Sequence, residues 1–296
     1  MAKNKIRSNA LGDRFFYFCV YFLAALAFIL TAYPFIYIVS VSISDPLAVA
    51  KGQVLLWPVG FSTYGYKIIF DQSSLWTSYG NTLFYTIVGT LFQMVATVLT
   101  AYPLSRRNFC ARRFFNFFIV FVMYFSGGLI PTYLIVTKLG FYNNRWVMII
   151  PCLLSSYNFM VCRSAFSAIP EEVMESAAID GANDIHVLFR IAIHLIIPTL
   201  AVLTLYYAVA QWNNFFTALL YLTKAELQPL TILLRRIVIS ASTEFMNDVE
   251  KSESRALVSA QIRYATIVTA TLPILTIYPF LQKYFVKGVM LGAVKG

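Results

Sequence analysis

Residues 171–198 of the chain read EEVMESAAIDGANDIHVLFRIAIHLIIP, and this stretch decides how the fold is organised. It places five carboxylates and one glycine between two long apolar runs. Pro170 suits the first turn of a helix, where the helix dipole favours Glu171 and Glu172. Gly181 is expected to end that helix, because glycine adopts the left-handed conformation at low cost. The pattern predicts a charged helix-turn-helix.

The second helix of this segment is expected to start at Asn183 or Asp184, either of which can cap it. It would then merge through Leu188 into the apolar run that follows. A solvated loop, kept in water by its charges, is the alternative reading. Small side chains at 176–178 favour a docking element instead, because they let a partner approach the backbone closely.

Composition assigns the chain to the membrane. Of its 296 residues, 59% are apolar and 12% are charged, and the mean hydropathy is +0.70. These values lie outside the usual range of soluble domains. Hydrocarbon cannot hydrogen-bond the backbone, so apolar runs of roughly 20 residues favour spanning helices. We therefore predict an all-α membrane protein.

Six apolar runs can be read as transmembrane helices. They cover, approximately, residues 15–39, 81–104, 114–136, 146–161, a run that begins near 193, and 264–280. Basic residues precede the first run, separate the second from the third and follow the last. By the positive-inside rule, both termini are expected in the cytoplasm of a multi-pass cell-membrane protein. This predicts a cytoplasmic tail at 1–14 and a transmembrane domain at 15–296, with an inner loop at 168–192 and an external segment at 223–263.

Several classes of protein are disfavoured by what the sequence lacks. None of its 13 acidic residues falls inside a predicted span, whereas ion-coupled carriers usually place ionisable groups at membrane depth. The sequence has no GxxxxGK[ST] phosphate loop and no hydrolase motif, so we expect a non-catalytic chain that does not hydrolyse ATP itself. His186 and His194 have no second ligand pair, so no metal or cofactor site is predicted in this chain.

The sequence ESAAIDGA at 175–182, with Ile191 and Pro198 after it, resembles the EAA loop of ABC importer permeases. Nearly the whole chain is similar to the carbohydrate-uptake branch, the family of the maltose importer's smaller permease subunit. The likeness is carried by residues 128–131 and 139–140, by QWNNF at 211–215, and by 282–289 and 292–296. It implies the type I permease fold, with six transmembrane helices and a cytoplasmic coupling helix-turn-helix.

The resemblance also implies roles for particular residues. The coupling site for the ATPase would comprise Glu172, Glu175, Ser176, Ala177, Ala178, Asp180, Gly181 and Ala182. Glu175 and Asp180 offer acceptors to partner arginines or to amides of the loop itself. The chain departs from the family where His194 stands in place of a usual proline, and where Leu188 replaces a usual phenylalanine. These departures leave the angle at which the second helix enters the membrane open.

The implied partners are those of a binding-protein-dependent ABC importer. They are a second permease subunit in a heterodimer, two copies of a cytoplasmic ATPase that bind ATP and Mg, an extracytoplasmic solute-binding protein and membrane lipid. No nucleic acid is expected, because no aromatic-basic motif accompanies the net charge of +10. The resemblance implies an oligosaccharide as substrate.

Residues 211–214 are the first candidates for the substrate path. Amides inside an apolar run cost free energy unless they bond to another helix or face a wet cavity, so Gln211, Asn213 and Asn214 can be interhelical bonds or sugar contacts. Trp212 beside them suits the apolar face of a sugar ring. Tyr124 and Ser126, next to the Gly-Gly break at 127–128, are weaker candidates.

Charge suggests a class of sugar. If the basic outer segment around Arg235, Arg236 and Arg255 faces the binding protein or the cavity, an acidic, uronate-containing oligosaccharide is favoured. Three function classes therefore stand at this point. They are an ABC sugar permease, an ion-coupled secondary sugar carrier, and a membrane partner that transports nothing.

Overall fold

The computed structural model describes residues 10–247, 260–273 and 275–276. Within these ranges the regular secondary structure is helical, apart from one isolated bridge between Ser44 and Phe61, and loops and turns connect the helices. The helices are α1 (Ala10–Ser42), α2 (Pro46–Ala50), α3 (Tyr64–Phe70), α4 (Ser73–Ser105), α5 (Arg112–Tyr124), α6 (Leu129–Lys138), α7 (Ser156–Ser167), α8 (Glu171–Ile179), α9 (Asp184–Leu195), α10 (Ile197–Trp212), α11 (Phe216–Tyr221), α12 (Leu230–Asn247) and α13 (260–273).

Several sequence-based expectations fall on residues outside these ranges. They concern the start of the predicted tail (1–9), part of the predicted external segment (248–259), including Arg255, the end of the sixth predicted span (277–280), and the C-terminal stretches at 282–289 and 292–296 that carry the family likeness.

The chain forms two compact units, of which the first comprises 1–71 and 237–269 and the second 72–236 and 270–296. In the first unit, α1 presents apolar side chains on all sides. From Asp13 to Ser42 it runs for 30 residues, and none of its most apolar window is buried. Roughly 20 residues suffice to cross the hydrocarbon core, so α1 is long enough to span it with both ends in the interface.

A single glutamine organises the non-helical loop of the first unit. Gln261 on α13 is fully buried. Its Oε1 accepts the Gly65 N–H at 3.2 Å, and its Nε2 donates to the Ser44 and Ser62 carbonyls at 3.0 and 2.8 Å. Buried backbone groups need such partners because no water reaches them. One amide therefore holds the chain between α1 and α3 against α13.

In the second unit, α4 is the central helix and packs against both α7 and α10. At the end of α4 that carries Arg106, its apolar residues share a buried cluster with both neighbours; the cluster includes Val98, Ala101, Tyr102, Phe159, Cys162, Phe166 and Leu203. At the other end, polar side chains bind a loop. Asn81 donates to the Glu226 carbonyl at 2.7 Å, and Thr82 accepts the Leu230 N–H at 2.8 Å.

The described residues contain two helices long and apolar enough to cross a membrane, 13–42 and 73–105. Two further bent pairs pass the same test, α5 with α6 at 117° and α9 with α10 at 84°. The count of six spans therefore stays a prediction. The α5–α6 break falls at the Gly-Gly pair, where Gly128 has a φ of +85° that favours glycine.

The apolar run 146–161 is not the single helix that the sequence predicted. Residues Arg145–Met148 form one 3₁₀ turn, irregular backbone follows, and α7 begins only at Ser156. Pro151 lacks an N–H and cannot continue a helical ladder. Ser155 then starts α7 anew, because its hydroxyl accepts the Asn158 N–H at 3.4 Å.

We expect Gln261→Leu to lower the stability of the first unit. The leucine would leave the Gly65 N–H and at least two carbonyls buried without partners, and each such group costs about 1–3 kcal/mol. Thermal unfolding of the purified protein in detergent measures the effect. Gln53→Leu is the matched control, because Gln53 is exposed. Equal unfolding temperatures for the two variants would contradict the prediction.

Candidate functional site

The helix-turn-helix at 171–195, called the knob from here on, turns at Gly181. This glycine has a φ of +78°, in the left-handed region. Its N–H donates to the Ala178 carbonyl at 3.0 Å, and the Ala182 N–H donates to the Ala177 carbonyl at 3.0 Å. This pair of bonds is the Schellman end of a helix, which satisfies carbonyls that the last turn would leave free. The turn between α8 and α9 is therefore fixed by backbone bonds.

The second helix of the knob starts where one of the sequence alternatives placed it. Asn183 is the cap, and its Oδ1 accepts the His186 N–H at 2.8 Å. Asp184 is the first residue of α9, where its carboxylate lies in the favourable field of the helix dipole. The structure thus contains the expected helix-turn-helix, and both helices are capped at the turn.

Buried side chains pack the knob against the rest of the second unit. The buried cluster that contains residues of α4 and α7 also contains four residues of the knob. They are Ala177 of α8 and Val187, Leu188 and Ala192 of α9. Ala177 is the buried member of the predicted coupling residues, and Ala182 is half-buried. The exposed members are Glu172, Glu175, Ser176, Ala178, Asp180 and Gly181. The knob is therefore anchored on one face and free on the other.

Two exposed isoleucines on the knob were missed by the sequence reading. Ile179 is 86% exposed and Ile185 is 68% exposed, one on each side of the glycine turn. Large apolar side chains this exposed outside the apolar runs indicate a surface that a partner covers. The available signal was an isoleucine next to an aspartate on each side of Gly181.

The structure defines the angle that His194 and Leu188 left open. The middle of α9, Val187–Ala192, is π-helical, and α9 meets α10 at 84° across Ile196. Leu188 is buried in the shared cluster, whereas His194 is exposed. Pro198 sits in the first turn of α10, a position that needs no N–H donor.

The four residues of the predicted substrate path at 211–214 differ in their surroundings. Gln211 and Trp212 are buried, and the Trp212 ring meets Tyr79 edge-on with 6.5 Å between centroids. Asn213 is exposed and bonds to the Val209 carbonyl in its own helix. Asn214 is half-buried and accepts the Thr217 N–H at 3.4 Å.

Gln211 forms an interhelical bond. Its Nε2 donates to the Met148 carbonyl at 3.1 Å, at the end of the 3₁₀ turn that precedes α7. It also packs so closely on α4 that a Cβ added to Gly89 would lie 2.8 Å from this nitrogen. Of the two roles that the sequence left open for Gln211, the structure contains the interhelical one.

Gln93 of α4 makes a parallel bond that sequence reasoning missed. Its Nε2 donates to the Cys152 carbonyl at 2.8 Å, and the Tyr207 hydroxyl accepts the Ser155 N–H at 3.3 Å. Gln93 and Gln211 are each only 4% exposed. Both Oε1 atoms are buried without a hydrogen-bond partner among the described residues. The available sequence signal was a glutamine in the middle of the apolar run 81–104.

Tyr124 and Ser126, the weaker candidates, lie together at the α5–α6 break. Both are exposed, and Ser126 accepts the Gly128 N–H at 3.2 Å. The serine therefore supports the backbone of the break, and the tyrosine ring is 75% exposed. The structure brings neither of them into a described contact with the residues at 211–214.

The comparisons with known proteins agree on one family. Residues 1–291 match the family described as binding-protein-dependent transport system inner membrane component. The chain is 38% identical over 287 residues to the polygalacturonan/rhamnogalacturonan transport system permease protein YtcP of Bacillus subtilis, covering 97% of this chain and 100% of YtcP. It is also 38% identical over 297 residues to protein LplC of the same organism, with full coverage of both.

A solved structure shares the fold. It is described as a bacterial ABC transporter involved in the import of the acidic polysaccharide alginate. The matching chain is 34% identical, with a TM-score of 0.85, and the match covers 93% of this chain and 98% of that one.

We expect Gly89→Ala to disturb the irregular stretch before α7. The new methyl group would displace the Gln211 amide, which is held between α4 and the Met148 carbonyl. Loss of this buried bond costs about 1–3 kcal/mol. Gly80→Ala in the same helix is the control, because nothing lies within 4 Å of the added methyl. Thermal unfolding should separate the two variants, and an unchanged Gly89→Ala protein would refute the contact.

Proposed function

Because the chain belongs to the family of binding-protein-dependent transport system inner membrane components, and is a permease of a sugar ABC importer, we propose that it forms half of a pathway for acidic oligosaccharides. The other half is a second permease subunit in a heterodimer. Two copies of a cytoplasmic ATPase bind ATP and Mg, and an extracytoplasmic binding protein delivers the sugar. In this arrangement six helices cross the membrane and both termini lie in the cytoplasm.

The observation that carries this proposal is the rigid, one-sided knob. Its backbone is fixed by the Schellman end at Gly181 and by the Asn183 cap. One face is packed into the cluster shared with α4 and α7, and the other exposes acceptors at Glu175 and Asp180 together with Ile179. Such a rigid element can pass a displacement of the ATPase on to the membrane helices, and coupling to an ATPase requires this.

The proposed mechanism is a rigid-body switch of alternating access. Closure of the two ATPases on ATP draws the docked knobs of the two permeases together. Because α9 continues at 84° into α10 and shares its buried cluster with α4, the displacement passes to the helices that carry Gln93 and Gln211. The pathway then opens outward and receives sugar from the binding protein.

We assign substrate contact to residues 212–214. Gln211 has a structural role instead, because it bonds α10 to the turn before α7. Arg235 on α12 supports an acidic substrate, because its guanidinium lies 5.3 Å from the ring centre of Phe215, the residue after Asn214. Arg235 and Arg236 are both exposed. The names of the relatives support the same class, since one is named a polygalacturonan/rhamnogalacturonan transport system permease and another belongs to a transporter involved in the import of alginate.

The ion-coupled carrier is the alternative from a different class. It requires an ionisable coupling site at membrane depth, and none of the acidic residues falls inside a predicted span. A carrier would lose uptake in ATP-loaded vesicles when an uncoupler is added, whereas the proposed importer keeps it. A membrane partner without transport would move no solute at all.

We expect Gly181→Val to uncouple the complex. A β-branched residue in the left-handed region costs about 1–2 kcal/mol or more, so the turn of the knob should distort. Purification from native membranes should then recover less ATPase with the variant, and sugar uptake should fall although the permease is still present.

Two further variants control for strain alone. Gly140 has a φ of +80° and, like Gly181, open space around an added Cβ, so Gly140→Val introduces similar strain away from the knob. Gly181→Asn tolerates the left-handed conformation. Both should retain the ATPase and uptake. Equal loss in Gly140→Val and Gly181→Val would show that strain, and not docking, is responsible.

We expect Arg235→Gln to lower uptake of a uronate oligosaccharide more than uptake of a neutral one of the same length. Removing the guanidinium weakens attraction for carboxylates, and this effect should shrink as salt rises. Lys51→Gln is the control, because it removes one exposed positive charge from a different segment, at the end of α2. Equal effects on neutral and acidic sugars, independent of salt, would contradict the assignment.

A further inference from the structure

A basic cavity of about 820 Å³ lies beside the knob, at the link between α4 and α5. Four arginines line it: Arg107, Arg112, Arg113 and Arg163. Arg163 comes from α7, so the cavity brings together residues that are far apart in the sequence. Among the described residues that line it there is no aspartate or glutamate. The function proposed above makes no use of this cavity.

Hydrogen bonds to the end of α4 hold two side chains that line the cavity. Arg163 Nε donates to the Leu104 carbonyl at 3.2 Å, and Asn116 Nδ2 donates to the same oxygen at 3.4 Å. The end of α4 is thereby bonded to both α5 and α7. Arg112 and Arg163 are half-buried, and their like charges repel each other. An anion placed among these cations would offset their mutual repulsion and the cost of their partial desolvation.

One arginine of the cavity already has an acidic partner. Glu171, at the start of α8, lies 3.4 Å from Arg107. Both side chains are more than half exposed, so this pair is screened by solvent and leaves the inner arginines without a carboxylate partner in the lining. The cavity therefore keeps an excess of positive charge even with the ion pair formed.

An exposed aromatic wall adjoins the cavity. The helix α5 begins at Arg112 and continues with Phe114, Phe117, Phe118 and Phe121, which are all between 43% and 69% exposed. Neighbouring rings stack along the helix, for example Phe114 on Phe118 and Phe117 on Phe121. The wall has no charged residue after Arg113. Charge at one end and an open apolar face along the helix match the two parts of a phospholipid.

We propose that this cavity binds the headgroup phosphate of an anionic phospholipid of the inner leaflet, with the acyl chains lying along α5. Arginine forks bind phosphate oxygens through charge-assisted bonds, and basic pockets between membrane helices on the inner side suit anionic headgroups. A free phosphate would satisfy the arginines but would leave the aromatic wall uncovered. The proposal rests on the orientation given under the proposed function, in which this end of α4 faces the cytoplasm.

The position of the cavity gives the lipid a role. Arg107 belongs to both the cavity and the ion pair with Glu171, the first residue of α8. A lipid bound at the arginines would therefore adjoin the knob and restrain the α4–α5 link, which the Arg107–Glu171 ion pair joins to the knob. We therefore expect the bound anionic lipid to support the coupling between the knob and the ATPase.

The test uses the whole complex, purified with its partner subunits and exchanged into detergent with phosphatidylglycerol or phosphatidylcholine of identical acyl chains. Native mass spectrometry counts the lipids that stay bound. The double variant Arg112→Gln/Arg163→Gln should lose the preference for phosphatidylglycerol by roughly tenfold or more, the effect expected for removing two basic contacts. Lys138→Gln/Arg145→Gln removes two charges outside the cavity and should keep the preference.

Three outcomes would overturn the proposal, and each points to a different explanation of the arginine cluster. Equal retention by the two double variants means that no lipid site exists here. Displacement of phosphatidylglycerol by millimolar inorganic phosphate means a free-anion site. Loss of the ATPase in the cavity variant, without change in bound lipid, means that the arginines belong to the subunit interface. Recovery of the ATPase and of uptake with the wild type tests the proposed function separately.

Discussion

The need to pair every buried backbone group is the constraint on which the second unit depends. Between Arg145–Met148 and α7 the chain is irregular, and in an apolar surrounding its free carbonyls would cost several kcal/mol in the way that unsatisfied groups in hydrocarbon do. Gln93 donates to the Cys152 carbonyl within this stretch, Gln211 donates to the Met148 carbonyl at the end of the turn before it, and the Tyr207 hydroxyl accepts the Ser155 N–H. Side chains of both α4 and α10 therefore bond the irregular stretch and the turn before it.

This constraint explains features of α4 and α10 that would otherwise look unrelated. Gly89 is required because a side chain would collide with the Gln211 amide. The α4–α10 contact is close because both helices must reach the same stretch of backbone. The Thr97 and Tyr207 hydroxyls lie 2.7 Å apart and join the two helices directly. Polar groups thus fix the relative position of helices whose surfaces are otherwise apolar.

The same two helices hold the knob, and this shared support connects the two candidate sites. α4 contributes to the cluster that buries Ala177 and Leu188 of the knob, and α10 follows α9 across the bend at Ile196. The knob and the irregular stretch therefore share contacts with α4 and α10. The basic cavity at the end of α4 adjoins the knob through the ion pair between Arg107 and Glu171.

The sequence alone determined the features that depend on near neighbours. The turn at Gly181, a helix start at Asn183 or Asp184, the break at the Gly-Gly pair and the membrane-spanning character of the long apolar helices follow from local propensity and composition. The motif at 175–182 was enough for the family, because its residues lie close together in the chain.

Only the tertiary structure decided which distant groups meet. It replaced the single helix expected at 146–161 by an interrupted one, gave Gln211 its carbonyl at Met148, and brought Arg163 to Arg112. Hydrogen bonds and charge clusters between helices depend on packing across the unit, and neither periodicity nor propensity carries that information.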